Sequence, residues 1–167
     1  MRRGEPDEMG RPNLHQADVL LVCSSGGHLL QLLALREAWA GFSHVWVTND
    51  RSDARSLLAD DKVVYAYWPT SRNVKNLIRN SGVAWRVVRA VRPKVMLTTG
   101  AATAVPFAWI ARLHGAHVVY VESLTRIRSP SLSCRLIAPV AARTYVQWPE
   151  LLSALRRARY AGTVLGR

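Results

Sequence analysis

This sequence predicts an α/β fold, a doubly wound parallel sheet with helices on its faces. Three observations carry the prediction. Short apolar runs alternate with helix-length segments along the chain. Such alternation suits a parallel sheet, because each parallel neighbour is reached by a crossover. A glycine-rich turn, Ser24-Ser25-Gly26-Gly27-His28, follows directly on the first run. No internal repeat or linker interrupts residues 18–159. Right-handed crossovers then narrow the topology to the Rossmann-like, doubly wound class.

The predicted strands are Asp18–Cys23, His44–Thr48, Lys62–Tyr67, Lys94–Thr99, His117–Val121 and Thr144–Gln147. The first, with its run Val19-Leu20-Leu21-Val22-Cys23, reads as a buried strand. The predicted helices are Leu29–Trp39, Asp53–Ala59, Asn73–Val91, Val105–His114, Ser131–Ala138 and Pro149–Arg159. Residues 1–17 carry charges and two prolines and lack the apolar centre of a signal peptide, so they read as a mobile tail. Residues 18–167 read as a single domain. No stretch approaches the roughly 18 uninterrupted apolar residues of a membrane span. The two cysteines, Cys23 and Cys134, form no CxxC and no metal-ligand cluster, which fits the cytoplasm.

The net charge is +12 and unevenly placed. Residues 62–149 hold thirteen Lys and Arg and one acid, Glu122. A basic face of this size suits nucleic acid, an anionic membrane or phosphorylated ligands. No helix-turn-helix, RNP or zinc-finger pattern accompanies it, so nucleic acid is not expected. The alternative is a solvated arginine surface without a partner.

In α/β folds, ligands bind outside the carboxyl ends of the strands. The first turn lies there, ahead of a helix N-terminus, where backbone N–H groups favour anions. It lacks the third spaced glycine of the dinucleotide fingerprint and the Gly-Lys-Ser/Thr of a Walker loop. His28 stands at its mouth. Thr98-Thr99-Gly100-Ala101 and the Glu122 loop fall on the same edge. Glu122, with Arg126 and Arg128 nearby in sequence, is either half of a structural ion pair or the group that orients a sugar hydroxyl or the His28 ring.

Residues 72–92 form a second feature. At 100° per residue, Val74, Leu77, Ile78, Trp85 and Val88 share a face, and Arg72, Lys75, Arg79, Arg86 and Arg89 fall on a neighbouring stripe. Either the apolar stripe packs on the sheet and the basic one is simply wet, or the N-terminal half turns outward onto anionic lipid.

These residues also carry a resemblance. Ser25-Gly26-Gly27-His28, Thr99-Gly100-Ala101 with Pro106, Glu122-Ser123 with Arg126, Ser131-Leu132-Ser133 and Val146-Gln147-Trp148-Pro149-Glu150 occur in this order. Together they resemble the PssD/CpsF-type subunits of bacterial exopolysaccharide glycosyltransferases. Those are similar to the membrane-recruiting subunit of the eukaryotic enzyme that adds the second N-acetylglucosamine to a dolichol-diphosphate-linked sugar. They are similar too to the N-terminal, acceptor half of MurG-type GT-B enzymes. The resemblance implies one half of an inverting glycosyltransferase, active with a UDP-sugar-binding partner of the PssE/CpsG type. The acceptor would be a polyprenyl-diphosphate-linked sugar, and the chain would sit peripherally on the inner face of the plasma membrane. It implies His28 and Glu122 as catalytic residues. It implies Ser25, Gly26, Gly27, Gly100, Ala101, Ser123 and Arg126 as diphosphate or acceptor contacts, and no cofactor or metal. Arg72, Lys75, Leu77, Ile78, Arg79 and Trp85 would meet the membrane. The alternative is a non-catalytic scaffold that recruits and activates a separate transferase. A plain nucleotide-binding Rossmann protein is a third reading, disfavoured for NAD by the missing glycine.

Overall fold

A computed structural model describes residues 14–70 and 73–164. Residues 1–13 of the predicted tail and Arg72 of the basic stripe lie outside the described residues. The strands are β1 (Val19–Val22), β2 (His44–Asn49), β3 (Val63–Ala66), β4 (Val95–Thr98), β5 (His117–Val121), β6 (Arg143–Val146) and β7 (Ala158–Tyr160). All pair in parallel in the order β3-β2-β1-β4-β5-β6-β7. The helices are α1 (Gly27–Ala34), α2 (Arg36–Trp39), α3 (Ser52–Leu57), α4 (Val74–Val91), α5 (Ala104–Leu113) and α6 (Leu132–Ile137), followed by a 3-10 turn at Pro149–Ser153.

Central β1 pairs with β2 on one side and β4 on the other. Its residues alternate between two cores, as the pleat requires. Leu20 and Val22 join Val45, Val47, Met96 and Val118 beneath Val83, Val87, Val88 and Val91 of α4, Phe107 of α5 and Ile137 of α6. Leu21 and Cys23 join Trp46 beneath Leu29 and Leu32 of α1, Trp39 of α2 and Ala54 of α3. Each such side chain contributes about 1.5–3 kcal/mol by leaving water. Leu14 and Ala17 pack against the first core, and the Ala17 N–H donates to the Val91 carbonyl at 3.1 Å. Burial pushes the Cys23 thiol up to about 12 and raises that of Cys134 as well, so neither is a ready nucleophile.

Three elements differ from expectation. The helix predicted over Leu29–Trp39 begins at Gly27 and breaks at Leu35. The break lets the Trp39 indole N–H donate to the Leu32 carbonyl at 3.0 Å, and the ring sits edge-on to Trp46 and His44. Burying that indole outweighs one more helical turn. The helix predicted over Pro149–Arg159 is instead the 3-10 turn followed by β7, which pairs with β6 and covers its open edge. In α4 the buried face differs from the predicted apolar one. Val88 is buried, whereas Val74, Leu77, Ile78 and Trp85 are exposed.

The buried face of α4 begins instead with two asparagines. Asn73 caps the helix by accepting the Asn76 N–H at 2.9 Å. The Asn76 amide donates to the Pro69 carbonyl at 2.8 Å. Asn80 makes a two-point clamp on Tyr67, accepting its N–H at 2.8 Å and donating to its carbonyl at 3.1 Å. Together they fix the chain from Tyr67 to Pro69. Asn80→Ala leaves both Tyr67 groups without these partners and is expected to cost about 1–3 kcal/mol. Urea unfolding of the purified chain measures this; an unchanged midpoint would mean that other contacts hold the loop.

Candidate functional site

Because all seven strands are parallel, their carboxyl ends share one edge of the sheet. A cleft of about 610 Å³ opens over that edge. Five strand ends line it in sheet order. Trp68 and Thr70 follow β3, and Asn49 closes β2. Ser24, Ser25 and His28 follow β1, Ala101 and Ala102 follow β4, and Ser123, Thr125 and Arg126 follow β5. Leu132 and Leu136 of α6 form an apolar rim.

His28 is fixed by two bonds across the β1–β4 seam. Its ring Nδ1 lies 2.8 Å from the Thr99 carbonyl, and the Thr99 hydroxyl donates to the His28 carbonyl at 2.7 Å. A carbonyl can only accept, so Nδ1 carries the proton and Nε2 is left as the basic nitrogen. Burial lowers the His28 pKa below its ordinary 6.5, and the Arg126 cation pushes the same way. The Thr99 bond and the Glu122 charge oppose them. The balance keeps the ring neutral near pH 7.

Of the expected diphosphate or acceptor contacts, Ser25, Ala101, Ser123 and Arg126 line the cleft together with His28. Gly26, Gly27 and Gly100 are not among the residues that line it. Gly26 takes a φ of +79° ahead of α1, and its N–H already donates to the Asp53 carboxylate at 2.7 Å. Asp53 therefore sits where an anion was expected. The Gly100 N–H is likewise engaged, by the Thr98 hydroxyl at 2.9 Å. Gly100 has a φ of +105°, and a Cβ there would lie 2.8 Å from the Tyr120 hydroxyl, so no other residue fits without a shift. Ala101 follows with a φ of +77°, a conformation costing an L-residue roughly 1–2 kcal/mol.

Glu122 does not stand where a substrate group was expected. It is 0 % exposed. Its Oε1 accepts the Ser123 N–H at 2.8 Å and the Tyr120 hydroxyl at 3.2 Å. Its Oε2 accepts the Ser131 N–H at 2.8 Å, and the Ser131 hydroxyl lies about 3 Å from both oxygens. Among the described residues it forms no ion pair, with Arg126, Arg128 or any other cation. The expectation that it meets a sugar hydroxyl or the His28 ring is corrected: it is a positioning residue that ties the end of β5 to the cap of α6. Ser131 completes the tie by accepting the Cys134 N–H.

The Gln147-Trp148 string has a related task. The Gln147 amide donates to the Glu122 carbonyl at 2.9 Å and to Gln31 Oε1 at 2.8 Å, and the Trp148 indole donates to the Leu124 carbonyl at 2.6 Å. Gln31 lies on α1, so the string brackets the first turn against the Glu122 loop.

Sequence reasoning missed Asn49, Trp68, Thr70 and Thr125 as cleft residues. The signal for Asn49 and Trp68 was available, since each directly follows a predicted strand on the ligand edge. Away from the cleft floor, Lys75, Leu77, Ile78 and Arg79 are exposed on the first half of α4. Trp85 stacks edge-on with His114 at 4.9 Å, beneath Arg89. Among the described residues no helix is long and apolar enough to cross a membrane, and no three His, Cys, Asp or Glu gather as a metal site.

The pattern of the family described as "Oligosaccharide biosynthesis protein Alg14 like" matches residues 19–164. The UDP-N-acetylglucosamine transferase subunit of Schizosaccharomyces pombe is 40% identical over 176 residues, covering 89% of this chain and 84% of that one. The subunit of the same name in Eremothecium gossypii is 33% identical, covering 88% and 80%. The human one is 24% identical, covering 88% and 82%. Among solved structures, MurG of Acinetobacter baumannii superposes with a TM-score of 0.72 at 18% identity, over 87% of this chain and 45% of that one. The UDP-N-acetylglucosamine 2-epimerase of Rickettsia bellii gives 0.69 at 12%, over 90% and 46%. The chain thus spans less than half the length of either, and these likenesses show the fold.

A histidine side-chain NMR titration is expected to give a His28 midpoint below 6.5. The unfolded chain then binds this proton more readily than the folded one. His28 accordingly removes stability as pH falls from 6.5 through its folded value. A midpoint at or above 6.5 would contradict the packing of the ring.

Proposed function

The chain belongs to the Alg14-like family of oligosaccharide biosynthesis proteins, and from that premise we propose that it is the acceptor- and membrane-side subunit of a two-component inverting glycosyltransferase. The reaction moves a sugar from a UDP-sugar to a hydroxyl of a polyprenyl-diphosphate-linked saccharide. A partner subunit of the PssE/CpsG type holds the UDP-sugar. The exopolysaccharide or capsule setting draws on the Glu122 loop and the Gln147-Trp148-Pro149-Glu150 string. Cytoplasmic placement, peripheral on the inner face of the plasma membrane, follows from the same reading.

The observation that carries this reading is His28. Its Nδ1 is bound to the Thr99 carbonyl, so Nε2 is the nitrogen left to accept a proton in the cleft. As the acceptor oxygen forms its bond to the anomeric carbon, the bond from that carbon to UDP breaks on the opposite face. Nε2 takes the hydroxyl proton, and UDP leaves with the bonding pair. Ser25, Ser123 and Arg126, beside Ala101, hold the acceptor diphosphate. Glu122 acts by fixing the loop that presents Ser123.

Membrane contact is assigned to the first half of α4. Val74 and Ile78 are 69% and 68% exposed, beside Leu77, Lys75 and Arg79. Each basic residue near an anionic surface contributes about 1 kcal/mol. Arg72 and Trp85 extend the same stretch in sequence.

The second reading, a scaffold that recruits and activates a competent partner, draws on Asp53. That carboxylate occupies the Gly26 N–H meant for a phosphate. One experiment separates the two. With the partner, a UDP-sugar and a lipid acceptor, the wild-type pair turns over and this chain alone does not. His28→Ala lowers turnover about a hundredfold or more while partner binding and fold persist. Near-normal turnover of His28→Ala would favour the scaffold.

Membrane recruitment has its own test. Vesicles containing anionic lipid are expected to sediment the chain in low salt, and neutral vesicles to do so weakly. Lys75→Glu with Arg79→Glu should release it. Salt should weaken the binding, since exposed charges are screened over about 8 Å at physiological ionic strength. Equal binding by the double variant would assign recruitment to the partner.

A further inference from the structure

We propose that the β2–β3 end of the cleft is a pyranose subsite, with Trp68 as a flat wall for one sugar ring and the Asn49 amide as the reader of one of its hydroxyls. This rests on the acceptor-side reading and names the part of the acceptor that this end would grip.

The first observation is Asn49. Three buried polar side-chain atoms lack a hydrogen-bond partner among the described residues: Trp46 Nε1, Thr48 Oγ1 and Asn49 Oδ1. Only Asn49 lines the cleft. It is 0 % exposed, and its Nδ2 reaches the Thr103 hydroxyl only at 3.5 Å. Buried polar groups are nearly always paired, and an orphan signals a missing partner. Turning the amide over exchanges which atom is orphaned and leaves one orphan still. A hydroxyl both donates and accepts, so it satisfies Asn49 in either orientation. Because Oδ1 is enclosed, a neighbouring side chain shifts as the hydroxyl arrives.

The second observation is Trp68. Its neighbours Tyr67 and Pro69 are pinned by Asn80 and Asn76, yet the residue itself is 57% exposed. The Arg51 guanidinium lies 5.2 Å from the ring centroid, covering one face. The chain thus buries two asparagines to hold a large apolar ring in the open at the cleft wall. The C–H face of a sugar ring is a fitting partner for such a surface.

Position joins the two. Neighbouring strands stand about 4.8 Å apart, so the ends of β3 and β1 are separated by about 10 Å. A ring over β2 and β3 therefore stands one strand spacing from His28, which follows β1. A nucleobase could stack on Trp68 too, but it needs several edge contacts, and this end supplies the single orphan.

The test uses the full chain with its catalytic partner and two water-soluble probes. One is a short prenyl diphosphate bearing N-acetylglucosamine, and the other is the same prenyl diphosphate without a sugar. Calorimetry compares wild type with Trp68→Ala and Asn49→Leu. Wild type is expected to prefer the sugar-bearing probe by about tenfold or more. Each variant should lose most of that preference and bind the bare diphosphate as wild type does. Trp68 is exposed, so Trp68→Ala remains decisive should Asn49→Leu fail to fold. Equal binding of both probes by wild type, or preference retained in Trp68→Ala, overturns the subsite and leaves the acceptor reading standing. Binding of neither probe by wild type overturns both. Competition by UDP that Trp68→Ala abolishes overturns the sugar assignment in favour of a nucleotide.

Discussion

The cleft is organised by a carboxylate that never meets solvent. Removing Glu122 from water costs several kcal/mol, and only a full set of donors offsets it. Those donors are the N–H groups of Ser123 and Ser131 and the hydroxyls of Ser131 and Tyr120. Together they tie the end of β5 to the start of α6. Ser131 starts α6, and Tyr120 stands over Gly100, whose close approach it dictates. Gly100 follows Thr99, the residue that orients His28. Burial, and then the Glu122 charge, push the Tyr120 phenol up, so it remains a donor throughout the physiological range. The position of the imidazole is therefore set by a chain of contacts beginning at a residue closed off from solvent.

The fold was legible in the sequence because its strongest signals are local. Apolar runs bounded by turns gave the strands β1 to β6 to within a residue or two, and Asn73 and Ser131 fall at the caps of α4 and α6. The errors lie where a tertiary contact overrode a local preference. Trp39 broke α1 from α2 because its indole gained a carbonyl and a place in the core. The end of the predicted last helix became the strand Ala158–Tyr160 because β6 had an open edge. On α4, a wheel cannot tell that Asn76 and Asn80 face inward, since amides normally favour water; they are buried because Tyr67 and Pro69 present backbone groups to them.

The site was legible only in part, for a related reason. A sequence places residues at strand ends, but which of them open into the cleft depends on partners distant in the chain. His28 was identified by its turn. Glu122 was identified as important for the wrong reason, because its Ser131 partner is invisible until α6 packs. Asn49 and Trp68 were overlooked because an asparagine and an exposed tryptophan belong to no motif. The strings that carried the family likeness proved to be brackets: Gln147 and Trp148 grip backbone rather than ligand.

The strand order also governs the timing of assembly. The first strand made is an interior one, and it needs β4 to complete its second side. His28 and Thr99, which must meet across that seam, are 71 residues apart. At a ribosomal pace of roughly 5–20 residues per second, the histidine emerges about 4–14 s before its carbonyl partner is synthesised. During that interval β1, β2 and β3 can pair, but one flank of β1 stays open and apolar, the kind of edge that chaperones shield and aggregates exploit. The seam that orients the proposed base thus closes only once β4 has been made, after the β1–β2 and β2–β3 pairings and ahead of those of β5, β6 and β7.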